Sequence, residues 1–208
     1  MSEAPPNQAE FWNERYDRPD YLFGTEPNDF LRATAPAARP GQTAFAPADG
    51  EGRNGVFLAA LGYAVTTVDI SEPAVEKARR LAAARGVTIN AVVADFFATD
   101  WPEAAFDLAA VSFMHFRSPL SERFHATIAR SLKPGGLLIL EGYHLDQMDF
   151  DSGGPKVPEM LFTRAMLERH FAELDIVLLQ QSLRMLAEGP RHRGEAATVQ
   201  LVARKRGA

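Results

Sequence analysis

The residues with chemical potential in this 208-residue chain cluster after three apolar runs. Ala44-Phe45-Ala46-Pro47 breaks into a turn with glycines at Gly50 and Gly52, and an apolar pattern at helical spacing (Val56, Phe57, Ala60, Leu61) follows at once. Such a turn lets a ligand approach backbone where no Cβ intervenes, and the free N–H groups of the next helix point at the same spot. Gly50-Glu51-Gly52-Arg53-Asn54-Gly55 also fits G-x-G-x-x-G, and a glycine turn holding no ligand stays open as the plain alternative. The second run, Ala64 to Asp69, ends in an acid, and an acid at the carboxyl end of a parallel strand can accept both hydroxyls of a ribose. The third, Val87 to Asp95, ends in another acid followed by Phe96 and Phe97, suited to an exocyclic amine and to the faces of a purine.

The elements that must position these groups alternate strand and helix. Helix signals run from Ser71 to Arg85, with Ser71 as cap, Pro73 in the first turn, a stripe at Val75, Ala78 and Ala82, and Gly86 as stop. Glu76, Lys77, Arg79 and Arg80 read as its solvated face. Phe106 to Phe113 suits a strand buried on both faces and delivers Phe113, His115 and Phe116 to the crevice. Ser118 caps a helix opened by Pro119, and Lys133-Pro134-Gly135-Gly136 turns into a strand from Leu137 to Tyr143. The stretch from Leu145 to Pro158 is long for a connector and reads as a functional loop or lid. A helix from Thr163 to His170 and two strands, Leu174 to Leu183 and Ala197 to Ala203, close the pattern.

Glycine turn, acid and acid on three successive strand ends describe an adenosine-shaped site. On the segments DGEGRNG, VDIS, ADFF and SLKPGGLLILEGY the chain resembles the class I S-adenosylmethionine (SAM)-dependent methyltransferases over nearly its whole length. The resemblance implies an α/β, Rossmann-like, doubly wound and mostly parallel seven-stranded sheet with an antiparallel C-terminal hairpin. It also implies one domain over 1–208: a helical and lid segment at 1–42, a SAM-binding core at 43–144, and a C-terminal loop, helix and hairpin at 145–208. Asp49, Gly50, Glu51, Gly52, Asn54, Asp69, Ile70, Asp95, Phe96, Phe113 and His115 are then the expected contacts of SAM and of its product S-adenosylhomocysteine. The FW-x-x-RY and FGTEP segments are similar to tellurite-resistance and thiopurine or thiol methyltransferases, which act on soft nucleophiles such as a thiol or a chalcogen oxyanion. The family's usual acid and first glycine after strand one align with Ala46 and Ala48 here, so Asp49 becomes the candidate for a displaced carboxylate.

A sulfonium methyl is already an electrophile, so neither a triad nor a metal is required, and a base is needed only for a protonated nucleophile. Candidates for catalysis are His115, Tyr16 and His192; His144, Glu141 and Glu188 follow them, and Asp149 and Asp151 read as a solvated loop with no metal. Six aromatics lie between Ala9 and Leu31: Phe11, Trp12 and Phe30 suit packing on the sheet, while Tyr16, Tyr21 and Phe23 to Pro27 either pack likewise or fold over the crevice. VSFMHF at the fourth strand lacks the N/D-P-P-aromatic motif of amino-adenine methyltransferases, which argues against a nucleic-acid base as acceptor.

A net charge of −5 without a basic block does not suggest phosphate-backbone binding. The lack of cysteine excludes disulfides and fits a reducing compartment. Residues 1–8 read as a loose polar end without a signal pattern, no run suits a membrane span, and the expectation is a cytoplasmic protein with a small-molecule acceptor. Two other readings stay open: a methyltransferase-fold protein that binds SAM without turnover, and an NAD-dependent oxidoreductase. The latter is disfavoured by chain length and by an interval from Gly55 to Asp69 shorter than the roughly 20 residues of the dinucleotide motif.

Overall fold

The structure is a computed structural model describing residues 7–207. Residues 1–6 of the expected loose end lie outside the described residues; Asn7 caps the first helix through its side chain, which accepts from the Ala9 and Glu10 N–H groups. The elements are α1 (Gln8–Tyr16), α2 (Asp29–Thr34), β1 (Thr43–Pro47), α3 (Arg53–Ala60), β2 (Ala64–Asp69), α4 (Glu72–Ala84), β3 (Asn90–Val93), β4 (Phe106–Ser112), α5 (Leu120–Ser131), β5 (Leu132–Tyr143), α6 (Arg164–His170), β6 (Leu174–Ala187) and β7 (Arg193–Lys205). They form one seven-stranded sheet in the order β3-β2-β1-β4-β5-β7-β6. The first five strands pair in parallel, and β7 inserts antiparallel between β5 and β6. The order reverses beside β1, so the carboxyl ends of β1, β2 and β4 open on the crevice where ligands of such sheets bind.

Helices cover both faces because the central strands are apolar on both. Phe45, Val111, Phe124, Ile128, Leu140, Phe171 and Leu201 pack on one face; Leu31, Ala44, Leu58, Leu108 and Ile139 pack on the other. Pro47 is tolerated because β1 pairs with β4 only through Ala44 and Phe45, so the proline stands where that ladder has ended.

Several expectations are corrected. The third strand is confined to Asn90–Val93, because the Val87 N–H still closes the end of α4 on the Ala82 carbonyl (3.0 Å). Ser118 does not cap α5: Pro119 holds that position without a side-chain cap. The first strand of the C-terminal hairpin starts at Leu174 as the pattern suggests but runs on to Ala187, and the second is longer at both ends, Arg193–Lys205. Lys77 is not on a solvated face but buried at 2% exposure. The segment after β5 is docked: Gln147 is fully buried, its side-chain amide oxygen accepts from the Ala197 N–H (2.9 Å), and a Cβ would stand 2.5 Å from the Tyr143 hydroxyl on Gly153 and 2.5 Å from the Tyr143 ring on Gly154. No helix among the described residues is long and apolar enough to cross a membrane.

Candidate functional site

The turn between β1 and α3 is built from left-handed backbone. Ala48 (φ 51°), Gly50 (φ 56°) and Gly52 (φ 87°) all lie at positive φ, so Ala48 occupies a conformation that favours glycine. Two of the glycines serve packing. A Cβ on Gly52 would fall 2.5 Å from Ala78 Cβ on α4, and one on Gly55 would fall 2.2 Å from Thr67 Cγ2 on β2. Gly50 is different: the space over it holds the Tyr16 hydroxyl, 2.6 Å from where a Cβ would be.

Asp69 closes the turn. Its Oδ2 accepts from the Gly50 N–H and its Oδ1 from the Ser71 N–H, both at 2.9 Å. Burial pushes its carboxyl up to about 6 against the pull of those N–H groups. Asp49 accepts the Gly55 N–H on Oδ2 (2.9 Å), while its Oδ1 is buried without a partner; burial lifts this carboxyl to about 7, with Arg53 opposing and Asp69 adding to the rise. Ile70 follows Asp69 at intermediate exposure.

Glu51 and Asn54 do not face the crevice. Glu51 is buried at 3%; its Oε1 accepts from Lys77 Nζ and its Oε2 from the Leu22 N–H, each at 2.7 Å. Lys77 also donates to the Asp20 carbonyl (2.8 Å), and Asn54 Oδ1 accepts the Asn28 N–H (2.9 Å). Both side chains tie down residues 17–28, a strap that crosses the carboxyl edge of the sheet. Tyr16, at the foot of the strap, stacks on Trp12 (5.6 Å between centroids). Burial, with Asp69, Glu51 and Asp49 beside it, keeps its phenol protonated, so it is a donor and not a base.

The roof is completed from the other end of the chain. A Cβ on Gly189 would meet the Phe23 carbonyl carbon at 2.3 Å, so the β6–β7 turn and the strap touch backbone to backbone. His192 of that turn is held between Phe23 (4.6 Å) and Phe113 (4.4 Å), the latter at φ 55° at the end of β4. Burial and the Arg53 charge bring His192 down to about 3, and its Nδ1 has no partner among the described residues. Below the roof lies an ionic network. Arg184 donates through Nη2 to Glu141 and Glu188 (2.6 Å each), Asn28 Nδ2 donates to both acids (2.5 and 3.1 Å), and Glu188 accepts the Asp29 N–H (3.2 Å). Arg53 Nη1 lies 2.8 Å from Glu188 Oε2 but makes no aligned hydrogen bond.

Three expected site residues are placed elsewhere in role. His115 has both nitrogens occupied, Nδ1 with the Met160 carbonyl (2.9 Å) and Nε2 with the Tyr143 N–H (3.0 Å), and burial lowers it to about 4; it braces β5 against the segment at 158–162 and offers no free base. The half-buried Phe96 ring packs against the core with Phe124 (4.7 Å) and Trp101 (5.6 Å). Asp95 is exposed, and its Oδ1 is spent capping the turn Phe96–Ala98 through the Phe97 N–H (2.8 Å). His144 bonds Asp146 and Gln181 outside the crevice. Among the described residues no three metal-ligating side chains group together.

Sequence reasoning missed Arg53, Arg184, Asn28 and Lys77. Arg53 had one signal: a cation in the first turn of a helix opposes the helix dipole, so it needs a nearby acid, here Glu188.

Comparison with known proteins agrees with this geometry. Residues 48–136 match the family described as a methyltransferase domain. A demethylmenaquinone methyltransferase of Thermus thermophilus is 33% identical over 79 residues, which cover 38% of this chain; the chain spans about a third (36%) of that relative's length. A solved structure described for the conversion of a disulfide bond into a thioacetal group during echinomycin biosynthesis superposes with a TM-score of 0.77 at 21% identity, over 96% of this chain and 92% of that one. The 1,6-didemethyltoxoflavin-N1-methyltransferase of Burkholderia thailandensis, solved with 1,6-didemethyltoxoflavin and S-adenosylhomocysteine bound, gives 0.61 at 22% identity, over 85% and 75%. The seven-stranded sheet with its antiparallel C-terminal hairpin is the Rossmann-like fold of these solved structures.

Proposed function

We propose that this chain, a methyltransferase domain on a class I fold, transfers the methyl group of SAM to a small-molecule acceptor. The observation that carries the reading is the pairing of the glycine turn with Asp69. A buried carboxylate stands at the carboxyl end of β2, at the reversal of strand order, beside a Gly50 backbone that carries no Cβ. Residues of this kind fit an adenosine: Asp69 retains acceptor capacity for ribose hydroxyls beyond its two backbone bonds.

SAM supplies a methyl group on a positive sulfur, which a nucleophile attacks directly. The chain's own work is to bind, align and exclude water. Tyr16 and the strap cover Gly50, and the turn carrying His192 seals against Phe23, so ligand entry requires the strap to lift and its return to dry the crevice. With His115 bonded at both nitrogens, His192 neutral and Tyr16 protonated, strong general-base assistance is not provided. This supports an acceptor that is nucleophilic without it, a soft sulfur or chalcogen centre, and the structural relative concerned with a disulfide and a thioacetal is in keeping with sulfur chemistry. The competing reading, SAM held without turnover, draws on the same shortage of bases and on Ala48 in a strained turn.

The test is production of S-adenosylhomocysteine from SAM with a panel of thiols, chalcogen oxyanions and amines, alongside Asp69→Ala. Turnover with a soft nucleophile that Asp69→Ala suppresses supports the proposal. Binding of SAM without turnover on any acceptor favours the non-catalytic reading, and a melting shift with NAD but not SAM would overturn both.

A further inference from the structure

We propose that His115, His125 and His170 form an acid-sensitive clasp, which holds the segment 158–170 against the sheet at neutral pH and releases it when acid supplies two protons that the closed arrangement cannot accommodate. The hydrogen bonds alone set the protonation state. His115 Nε2 accepts from the Tyr143 N–H (3.0 Å), so it is bare, and the ring's one proton is donated from Nδ1 to the Met160 carbonyl (2.9 Å). A proton on Nε2 would set two N–H donors face to face and break the hold on Tyr143. His125 of α5 meets His170 of α6 Nδ1 to Nδ1 at 2.8 Å, a contact that needs one protonated and one bare nitrogen. The pair takes one extra proton without breaking, on His170, whose Nε2 lies 3.8 Å from Glu122 Oε1. A further proton puts N–H against N–H.

Both halves close on Phe162. Its buried ring lies 4.4 Å from His115 and 5.6 Å from His125, over Gly142, where a Cβ would fall 2.3 Å from it. Burial holds all three imidazoles below their ordinary range, His115 at about 4 and His125 at about 3, while Glu122 pulls His170 the other way. The charged and titratable groups facing the rings are Glu122 from α5, Arg169 from α6, Tyr143 from β5 and His192 from the β6–β7 turn, and of these Glu122 alone is an acid. Released, each histidine regains its ordinary value of about 6.5, so the closed form is favoured above that pH and loses ground as pH falls below it. At pH 5 each missing proton multiplies the opening constant by about thirty, and the two together by about a thousand. Tyr143, whose N–H His115 holds, packs its ring on Phe113 (4.7 Å), so opening also frees the end of β5 beside the crevice.

The experiment is hydrogen exchange of the full chain at about pH 7.5 and about pH 5, with exposure times scaled for the slower chemical exchange in acid. Peptides from 158–171 should open about a thousandfold more readily at the lower pH, while those of α3 and α4 keep their protection. His170→Gln keeps an amide against His125 and lets that ring accept its proton, so in this variant the same change in pH should raise opening only about thirtyfold. Long-range nitrogen NMR of the parent at the higher pH should show His115 protonated on Nδ1 and bare on Nε2, a readout that needs no variant. Unchanged exchange across 158–171, an equal rise in α3 and α4, a His170→Gln variant with the full response of the parent, or a His115 protonated on Nε2 overturns the clasp.

Discussion

One buried ion pair fixes the first half of the strap, and removing either partner should loosen it there. Glu51 and Lys77 side chains are 2% and 3% exposed, 2.7 Å apart, and each also fixes the strap backbone: Glu51 through the Leu22 N–H, Lys77 through the Asp20 carbonyl. Lys77→Met leaves a buried carboxylate whose compensation is the Leu22 N–H and the weaker Phe23 N–H at 3.4 Å. Breaking one partner of a buried pair costs about 3–5 kcal/mol, because the survivor keeps its desolvation cost without its attraction. Glu51→Gln costs toward the lower end, since the amide oxygen still accepts from Leu22 while Lys77 keeps only the Asp20 carbonyl. The double variant removes both charges and should recover most of the loss, leaving a coupling of at least about 2 kcal/mol. Urea unfolding of the parent, both single variants and the double variant measures this. Hydrogen exchange at Leu22 and Phe23 tells whether the loss is local to the strap. Single variants within about 0.5 kcal/mol of the parent, or a double variant equal to the sum of the singles, would refute the reasoning.

Three further outcomes follow from the same geometry. Gly52→Val sets a β-branched residue at φ 87° with its Cβ 2.5 Å from Ala78 Cβ, and thermal unfolding should show a loss of more than about 2 kcal/mol, whereas Gly41→Ala, whose Cβ meets nothing within 4 Å, should lose less. Arg184→Met strands Glu141 and Glu188 together beneath the roof, and should cost about 3–5 kcal/mol in denaturant unfolding, with Glu188→Gln in the same chain restoring part of it. Asp49 holds its proton in the folded state up to about 7 against 3.8 in the unfolded chain, so its contribution to stability is greatest in acid and is lost as pH rises through that window. Asp49→Asn should therefore gain on the parent between pH 4 and 7, by at most about 1.4 kcal/mol per unit, and the gain should be flat above pH 7; a stability difference that does not change with pH between 4 and 8 would refute the shift.

The parts of the site legible in the sequence are those written in neighbouring residues. The run Ala44 to Gly62 contains its own strand, turn and helix signals, and the fold realises them as β1, the glycine turn and α3. Asp69 is readable because an acid closing a β-branched run has one place to go in a parallel sheet, and the Ser71 cap follows two residues later. The aromatics at 9–31 admit two readings, packing on the sheet or folding over the crevice, and what fixes residues 17–28 in place is contacts no local pattern encodes: Gly24 against Gly189, Leu22 on Glu51, Asn28 on Asn54.

What the sequence hid is pairing across the chain. Lys77 sits among Glu76, Arg79 and Arg80, and nothing in that string distinguishes it from a solvated charge until Glu51 arrives from the preceding turn. His115 carries the right residue type at the right strand end, and only the Met160 carbonyl and the Tyr143 N–H show that its nitrogens are already occupied. Arg53 and Glu188 lie far apart in the chain, yet they join the glycine turn to the roof. Ion pairs thus tie the glycine turn to both of its covers, to the roof through Arg53 and Glu188 and to the strap through Glu51 and Lys77.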